Sequence, residues 1–448
     1  MSLQRKFLGV SVAVAAAAGS LLAAGAAPAS ADGTAVLPLS SYSGVVVDGV
    51  HHHLLISDPQ ASKIVVTDFA GTVVGQITGE YGAEGLALSS DSGTLYVALQ
   101  SGDAIAAIDT ATLTESARYA TGAGTDPAHL ALVGNTLWFG YGQSGGGRIG
   151  SIDLSAAQPR VTLDPTTAYE YYNAPRLAAS PSAPGVLVAA DDGVSPPTVT
   201  VYDVSSGTKV TKVSVWDPGT ASGGTGDIAD MAITPDGKDL ITASGAPYFQ
   251  QVFKLADLSA DGTYPTGPYP DAVAVAPDGT VAAGVDAYYD DDVYVFAQGQ
   301  GTPEHSYELG QELLPAGLAW DPTGTVLFAL TTNGFDGPIS LQVIGAPDSP
   351  STVTITAPAT ARKGKALTLK GKLTSQTAIT AGSTVTLTRT DSANPGGTVV
   401  TTVPVKANGA WKAADIPTVK GTAVYRIDYA GDAVHGAASA TASVTITK

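Results

Sequence analysis

Apolar and polar positions alternate along this chain in short bursts, and the bursts come in pairs. In residues 230–244, DMAITPDGKDLITAS, one alternating run meets Pro-Asp-Gly and a second apolar run follows. Period-two alternation on both sides of such a turn predicts two antiparallel strands joined tightly. The pattern recurs at 45–57, 86–99, 130–140, 177–190, 273–285 and 318–330, with starts 41 to 54 residues apart. Each interval also carries a second half, clearest in 104–109 followed by 114–121 and in 198–204 followed by 208–215. A repeating four-stranded unit of about 40–50 residues is the sequence mark of a β-propeller.

Seven units result. The seventh runs out after its third strand, 339–344, whereas a spare strand, 35–39, precedes the first. The expectation is a seven-bladed β-propeller over 32–346, closed by the N-terminal strand as outer strand of the last blade. An open ring would leave strand edges unpaired and two end blades without a neighbour. Residues 347–352, around PDSPS, read as a linker. From 353 to 448 the pattern changes to about seven Thr/Val-alternating strands, expected to form an immunoglobulin-like β-sandwich. The predicted fold class is all-β throughout.

Composition agrees with this and narrows the chemistry. Charged residues are only 14% of the chain, and Gly 52 and Pro 28 supply turns. The absence of cysteine excludes disulfides, thiolate nucleophiles, cysteine-zinc sites and iron–sulfur clusters. Residues 1–31 read as a signal peptide: Arg5 and Lys6 precede an apolar run that ends at Ala29-Ser30-Ala31, which places the mature start at Asp32. No Cys follows to carry a lipid anchor, and no later run is long enough to span a bilayer. A secreted, monomeric, extracellular or cell-wall-associated protein is expected.

Charge divides at the linker. Residues 32–350 hold nine Lys or Arg against 36 Asp or Glu, and residues from 351 on hold eleven against four. So acidic a large domain argues against nucleic-acid binding, whereas the basic sandwich suits a contact with anionic cell-wall polymer.

Two resemblances follow from particular residues. The run Ser90-Asp91-Ser92-Gly93-Thr94-Leu95-Tyr96-Val97-Ala98, with Pro235-Asp236-Gly237 and Pro277-Asp278-Gly279, resembles the YVTN-type β-propeller family. That implies the fold and carries little about activity. Tyr429-Ala430-Gly431-Asp432, followed by 438–447, resembles bacterial immunoglobulin-like repeats of secreted actinobacterial proteins. It implies a surface or secreted setting with an adhesive or spacer role.

Recurrent carboxylates at turns have a structural job. Asp91, Asp236 and Asp278 between first and second strands, and Asp109, Asp153 and Asp203 after third strands, are turn formers. His51-His52-His53 would put two imidazoles on one strand face, the start of a zinc or copper site, but the triplet falls at the same turn and reads as exposed polar residues.

In a propeller, the loops entering the first strands and the loops joining second to third strands share one face. The residues just before five inner strands are Glu84, His129, Arg176, Asp230 and Asp271. Such a ring could bind a ligand, hold a divalent cation or set a general acid against a base. Loops 169–173 (YEYYN) and 288–292 (YYDDD) add Tyr171 and Tyr289 as candidate ligand contacts, and Asp290, Asp291 and Asp292 suit a hard cation such as calcium. The plainer reading is that polar residues line any solvated funnel. The chain has no Gly-x-Ser-x-Gly elbow, Walker loop, dinucleotide fingerprint or His-Glu-x-x-His, and 223–226 is a glycine-rich turn, so no catalytic residue is assigned.

The expected function is a secreted, non-enzymatic binding or surface-scaffold protein. Its propeller face would recognise an extracellular glycan or protein, and its sandwich would act as spacer or wall contact, with no cofactor required. The alternative is a metal-dependent propeller hydrolase of the lactonase kind. There Glu84, Asp230 and Asp271 would hold a channel cation and His129 would serve as base, though the inner-strand Asn usual in such ligand sets is missing.

Overall fold

The computed structural model describes residues 33–163, 171–206, 211–216, 226–287, 289–334, 337–345, 351–375, 379, 382–406, 408–430 and 438–448. The expected signal peptide, the linker residues 347–350, most of 223–226, Tyr169, Tyr288 and the closing Gly431-Asp432 lie outside the described residues.

Apart from one 3-10 turn at Gln100–Gly102, the described regular structure is all strand. Seven four-stranded antiparallel sheets follow one another along the chain. Six of them are meanders of four consecutive strands. The fifth, for example, orders Ile228–Ile233, Asp239–Ser244, Phe249–Lys254 and Ala260–Pro265. The seventh takes Glu312–Trp320, Val326–Thr332 and Ile339–Gly345 from its own unit, and its fourth strand is Gly33–Val36. That strand pairs antiparallel with Ile339–Gly345, Gly33 opposite Val343 and Val36 opposite Ser340. It begins and ends earlier than the expected 35–39. Leu37 donates a last hydrogen bond to the Ile339 carbonyl at 2.9 Å and turns into the core, and Pro38 has no N–H with which to extend the ladder.

Burial explains why the strands read as they do. The second and third strands of a sheet are covered on both faces, so Thr94–Leu99 and Ala104–Asp109 are almost continuously buried. The outermost strand of the same sheet, Thr114–Ala120, is largely exposed and polar. One apolar cluster fills each gap between adjacent sheets. Leu55, Ile64 and Val66 of the first sheet meet Leu95, Val97 and Ala106 of the second. Phe328, Leu330 and Leu341 of the seventh meet Leu54 and Ile56 of the first. Each such Leu or Ile stabilises the sheet pair by about 1.5–3 kcal/mol. The first strands of neighbouring sheets touch in chain order, and Val45–Asp48 also touches Glu312–Trp320.

The Asp-Gly turns behave as expected. Asp236 accepts hydrogen bonds from the Thr234 hydroxyl at 2.8 Å and the Lys238 N–H at 3.2 Å. Gly237 follows with φ of 71°, where a Cβ would be strained.

The C-terminal part is a sandwich. One sheet joins Ser351–Val353, Leu367–Ser375 and Ala410–Asp415; the other joins Thr360–Arg362, Ala438–Thr447, Gly421–Tyr429, Thr384–Asp391 and Asn394–Pro404. Between them lies one apolar cluster including Leu369, Leu387, Trp411, Tyr425 and Ile427. Thr360–Arg362, absent from the sequence reading, pairs in parallel with Ala438–Thr447. Among the described residues, no helix is long and apolar enough to cross a membrane.

Candidate binding site

Strands alternate in direction within each sheet, so the loops entering first strands and those joining second to third strands share one end of the assembly. This mouth face carries the five charged candidates. They do not precede the inner strands, as the sequence suggested, but are among their first residues. His129 and Arg176 are the first residues of His129–Val133 and Arg176–Ala178, whereas Glu84, Asp230 and Asp271 lie inside Ala83–Leu88, Ile228–Ile233 and Pro270–Val275. Pairing starts earlier because it runs through a bulge. In the sixth sheet Pro270 opposes Val285 and Ala272 opposes Gly284, so Asp271 is the extra residue. The register also shifts between Ile228 and Asp230, between Ala83 and Leu86, and between Leu313 and Leu318. A bulge sharpens the local twist and re-aims the side chain it carries.

Among the described residues no hydrogen bond or ion pair joins any two of the five; Arg176, Glu84 and Asp230 find partners elsewhere, and Asp271 has none in another residue. Arg176 lies 2.7 Å from the Asp192 carboxylate, a charge contact in which its Nε–H does not point at the oxygen. Glu84 accepts a short hydrogen bond from the Ser43 hydroxyl, across from the first sheet. Asp230 accepts the Met231 N–H at 2.8 Å and the Val273 N–H at 2.9 Å. Tyr42, which the sequence did not single out, donates its hydroxyl to the Ala316 carbonyl at 2.8 Å, from the loop before the first sheet to the bulge of the seventh.

Enclosure by protein sets the electrostatics even where solvent still reaches the side chain. It pushes the Asp230 carboxyl up to about 6 and the His129 imidazole down to about 3; the Arg176 charge deepens the shift of His129 and partly offsets that of Asp230. Burial, partly offset by the Ser43 hydroxyl, also raises Glu84. Asp271 is raised well above the usual carboxylate range by burial, then by the negative charges of Asp286 and Asp230.

The tyrosines divide sharply. Tyr171, expected as a ligand contact, is only 2% exposed, with its hydroxyl 2.8 Å from that of Tyr202 in the core between third and fourth sheets. Its neighbour Tyr172 is the exposed one. Tyr81, Tyr172, Tyr248, Tyr269 and Tyr289 are the exposed tyrosines among the described residues, and all five sit in mouth-face loops. Tyr289 is 92% exposed. Tyr248 and Tyr269 meet edge to face with ring centroids 5.4 Å apart.

Asp290, Asp291 and Asp292 part company. Asp290 is exposed beside Gly267, Asp291 is half-buried, and Asp292 turns inward to accept the Leu309 N–H at 2.6 Å. Burial, with the neighbouring Glu308 carboxylate, pushes Asp292 up to about 7. His51 holds Asp48 at 2.6 Å and stacks on His53. Among the described residues no group of three or more His, Asp or Glu is placed to hold a metal ion.

The other end of the channel is unlike the mouth. A cavity of about 1000 Å³ there is lined by Leu88, Leu132, Leu177, Met231 and Val275, with Asn135 and no charged residue. Sequence reading missed it because these residues form the apolar alternation used to find the strands.

Against known proteins, no family model and no curated sequence matches the chain. Solved structures do match. The Kuenenia stuttgartiensis hydrazine synthase is 17% identical with a TM-score of 0.51, covering 69% of this chain and 97% of that one. The β-propeller domain of Myceliophteria thermophila Cps50 (Swd1) is 13% identical with a TM-score of 0.51, covering 68% and 97%. At such identity the likeness speaks to architecture alone. With the seven four-stranded sheets, it identifies the large domain as a β-propeller.

Proposed function

We propose that this is a secreted, non-enzymatic binding protein: a YVTN-type seven-bladed propeller, closed by its N-terminal strand, that presents its mouth face to an extracellular glycan or protein. The observation that carries the reading is the confinement to that face of the tyrosines exposed among the described residues, beside the carboxylates of the channel mouth. Tyrosine offers a large, rigid, amphipathic surface at low entropic cost, which suits the faces of sugars and extended peptides. Ring closure is supported by the pairing of Gly33–Val36 with Ile339–Gly345 and by the apolar cluster joining seventh and first sheets. The C-terminal sandwich would be an immunoglobulin-like spacer, and its cationic excess suits anionic wall polymer. Secretion rests on the first 31 residues.

The test is binding of the purified protein to an array of bacterial wall glycans and extracellular proteins, beside a Tyr248→Ala/Tyr269→Ala variant. Loss of about tenfold or more in affinity for the captured ligand, with unchanged melting, is expected. Equal binding by the variant would remove the mouth face as the recognition surface.

A further inference from the structure

Asp271 stands apart from the other mouth-face carboxylates. It is 7% exposed, and neither of its oxygens accepts a hydrogen bond from another residue. Four other enclosed acids of this face have partners: Asp230 holds two N–H groups, Glu84 a hydroxyl, Asp192 an arginine and Asp292 the Leu309 N–H. The charges that act most on Asp271 are those of Asp286, Asp230 and Asp292, all negative. A buried carboxylate without hydrogen bonds is costly, and like charges around it add to the cost. In the free protein the cost is relieved by protonation, which the raised pKa of Asp271 reflects; a cation supplied from outside would relieve it with the carboxylate charged.

We propose that Asp271 is the counter-charge for an ammonium group on the ligand, a lysine side chain presented by an extracellular peptide or protein. The inference rests on the mouth face being the recognition surface. Four observations fix the chemistry. The surrounding charge calls for a cation. The absence, among the described residues, of any metal-holding group of three points away from a metal ion and towards an organic cation. Tyr269, two residues before Asp271 in the chain, and its edge-to-face partner Tyr248 add exposed aromatic faces to the same mouth face, and such faces attract ammonium groups. The depth of Asp271 favours a slender alkyl arm over an amino sugar, whose nitrogen sits directly on a ring. Tyr269 is moreover held at φ of 57°, unusual for an aromatic residue, with its carbonyl accepting the Asp286 N–H at 2.9 Å. Its backbone is thus set in place before any ligand arrives.

Calorimetric titration of the purified protein with the capped peptide Gly-Gly-Lys-Gly-Gly tests this, with the Nε-acetylated peptide and D-glucosamine as comparison probes. Asp261→Asn, on the exposed outermost strand of the fifth sheet, serves as a matched loss of one surface charge. The lysine peptide should bind wild type and Asp261→Asn alike and about tenfold or more weaker to Asp271→Asn, and acetylation should cost wild type a similar factor. Asp271→Ser should repeat the loss, so that a folding defect in one variant does not decide the matter. Equal affinity for Asp271→Asn, or for the acetylated peptide, overturns the proposal. Tighter binding of glucosamine than of the peptide overturns the lysine source. A ligand lost in Tyr248→Ala/Tyr269→Ala but unmoved by Asp271→Asn removes the ammonium pocket and leaves the recognition face standing.

Discussion

The Asp230 carboxylate reaches from the fifth sheet to the sixth and accepts the Val273 N–H at 2.9 Å. Its second oxygen accepts the Met231 N–H at 2.8 Å. A residue that looks like a candidate acid is therefore also a staple between neighbouring inner strands. Asp230→Ala leaves two N–H groups at the channel wall without this acceptor, a loss of about 1–3 kcal/mol. Asp230→Asn keeps one acceptor oxygen and should cost less. Urea unfolding of both variants measures this; an Ala variant as stable as wild type would show that the staple carries no load.

The raised carboxyls give the fold an unusual pH dependence. Asp292 and Asp230 titrate near 7 and 6 in the folded protein, both displaced upward from 3.8 chiefly by burial. A group whose folded pKa is raised contributes stability that is full below the unfolded value and is lost as pH rises through the folded value. His129 has the opposite sign. Its folded value near 3 lies below 6.5, so its contribution is present above pH 6.5 and is lost on acidification. Melting temperature should therefore rise from pH 8 to about 6.5, where only the carboxyls act, and the gain should flatten below that as His129 opposes it. His129→Gln should restore the rise between pH 6.5 and 5. A melting temperature that falls steadily from pH 8 downward would refute the assignment.

Much of this architecture is written in local pattern, and most of the site is not. Leu95 to Leu99 reads as a buried strand because both of its faces are covered, and Asp236 reads as a turn residue because its partners, Thr234 and Lys238, are two positions away. Asp271 is different. The alternation of 270–275 continues smoothly through it, and only the register against Val285 and Gly284 reveals that it bulges. Whether Tyr171 or Tyr172 turns inward depends on a bridge between Tyr171 and Gly147, 24 residues distant. Arg176 likewise finds Asp192 across a loop that composition alone does not orient. Local chemistry sets strands and turns; distant pairing sets which side chains the channel receives.

The sandwich holds a buried ion cluster. Arg389 contacts Asp415 at 2.6 Å and Asp391 at 2.9 Å, and the Tyr425 hydroxyl donates to Asp415 at 2.6 Å. Arg389→Met leaves two enclosed carboxylates without their cation, and removing one partner of such a group typically costs about 3–5 kcal/mol. Adding Asp415→Leu to that variant should recover part of the loss, because the charge left behind carries much of the penalty. A double variant no more stable than Arg389→Met would place the cost in packing instead. Hydrogen exchange at the amides of Leu387 and Ile427, in the apolar cluster of the sandwich, reports that domain apart from the propeller.

Gly147 fixes the mouth-face loop that carries Tyr172. Its N–H donates to the Tyr171 carbonyl at 2.9 Å, and the Tyr171 N–H returns a bond to the Gly147 carbonyl at 2.8 Å. A Cβ at this position would lie 1.8 Å from the Asn173 carbonyl oxygen and 2.9 Å from that of Tyr171. Both are main-chain atoms and cannot swing aside, so Gly147→Ala must push residues 171–173 away from the third sheet. The shift would loosen the hydrogen bond from the Tyr172 N–H to Asp191, 3.0 Å long, and the one from the Asn173 amide to the Asp192 carbonyl, 3.1 Å long. Overpacking of this kind costs about 1–3 kcal/mol. Because Asp192 also holds Arg176, the displacement should reach the channel mouth and weaken ligand binding as well as stability. Gly145→Ala, in the same loop but with nothing within 4 Å of the added Cβ, is the control for a chain change without a clash, although its φ of 89° adds backbone strain of its own. Gly147→Ala that binds ligand as wild type does, while melting lower, would confine its effect to the scaffold and detach the Tyr172 loop from recognition.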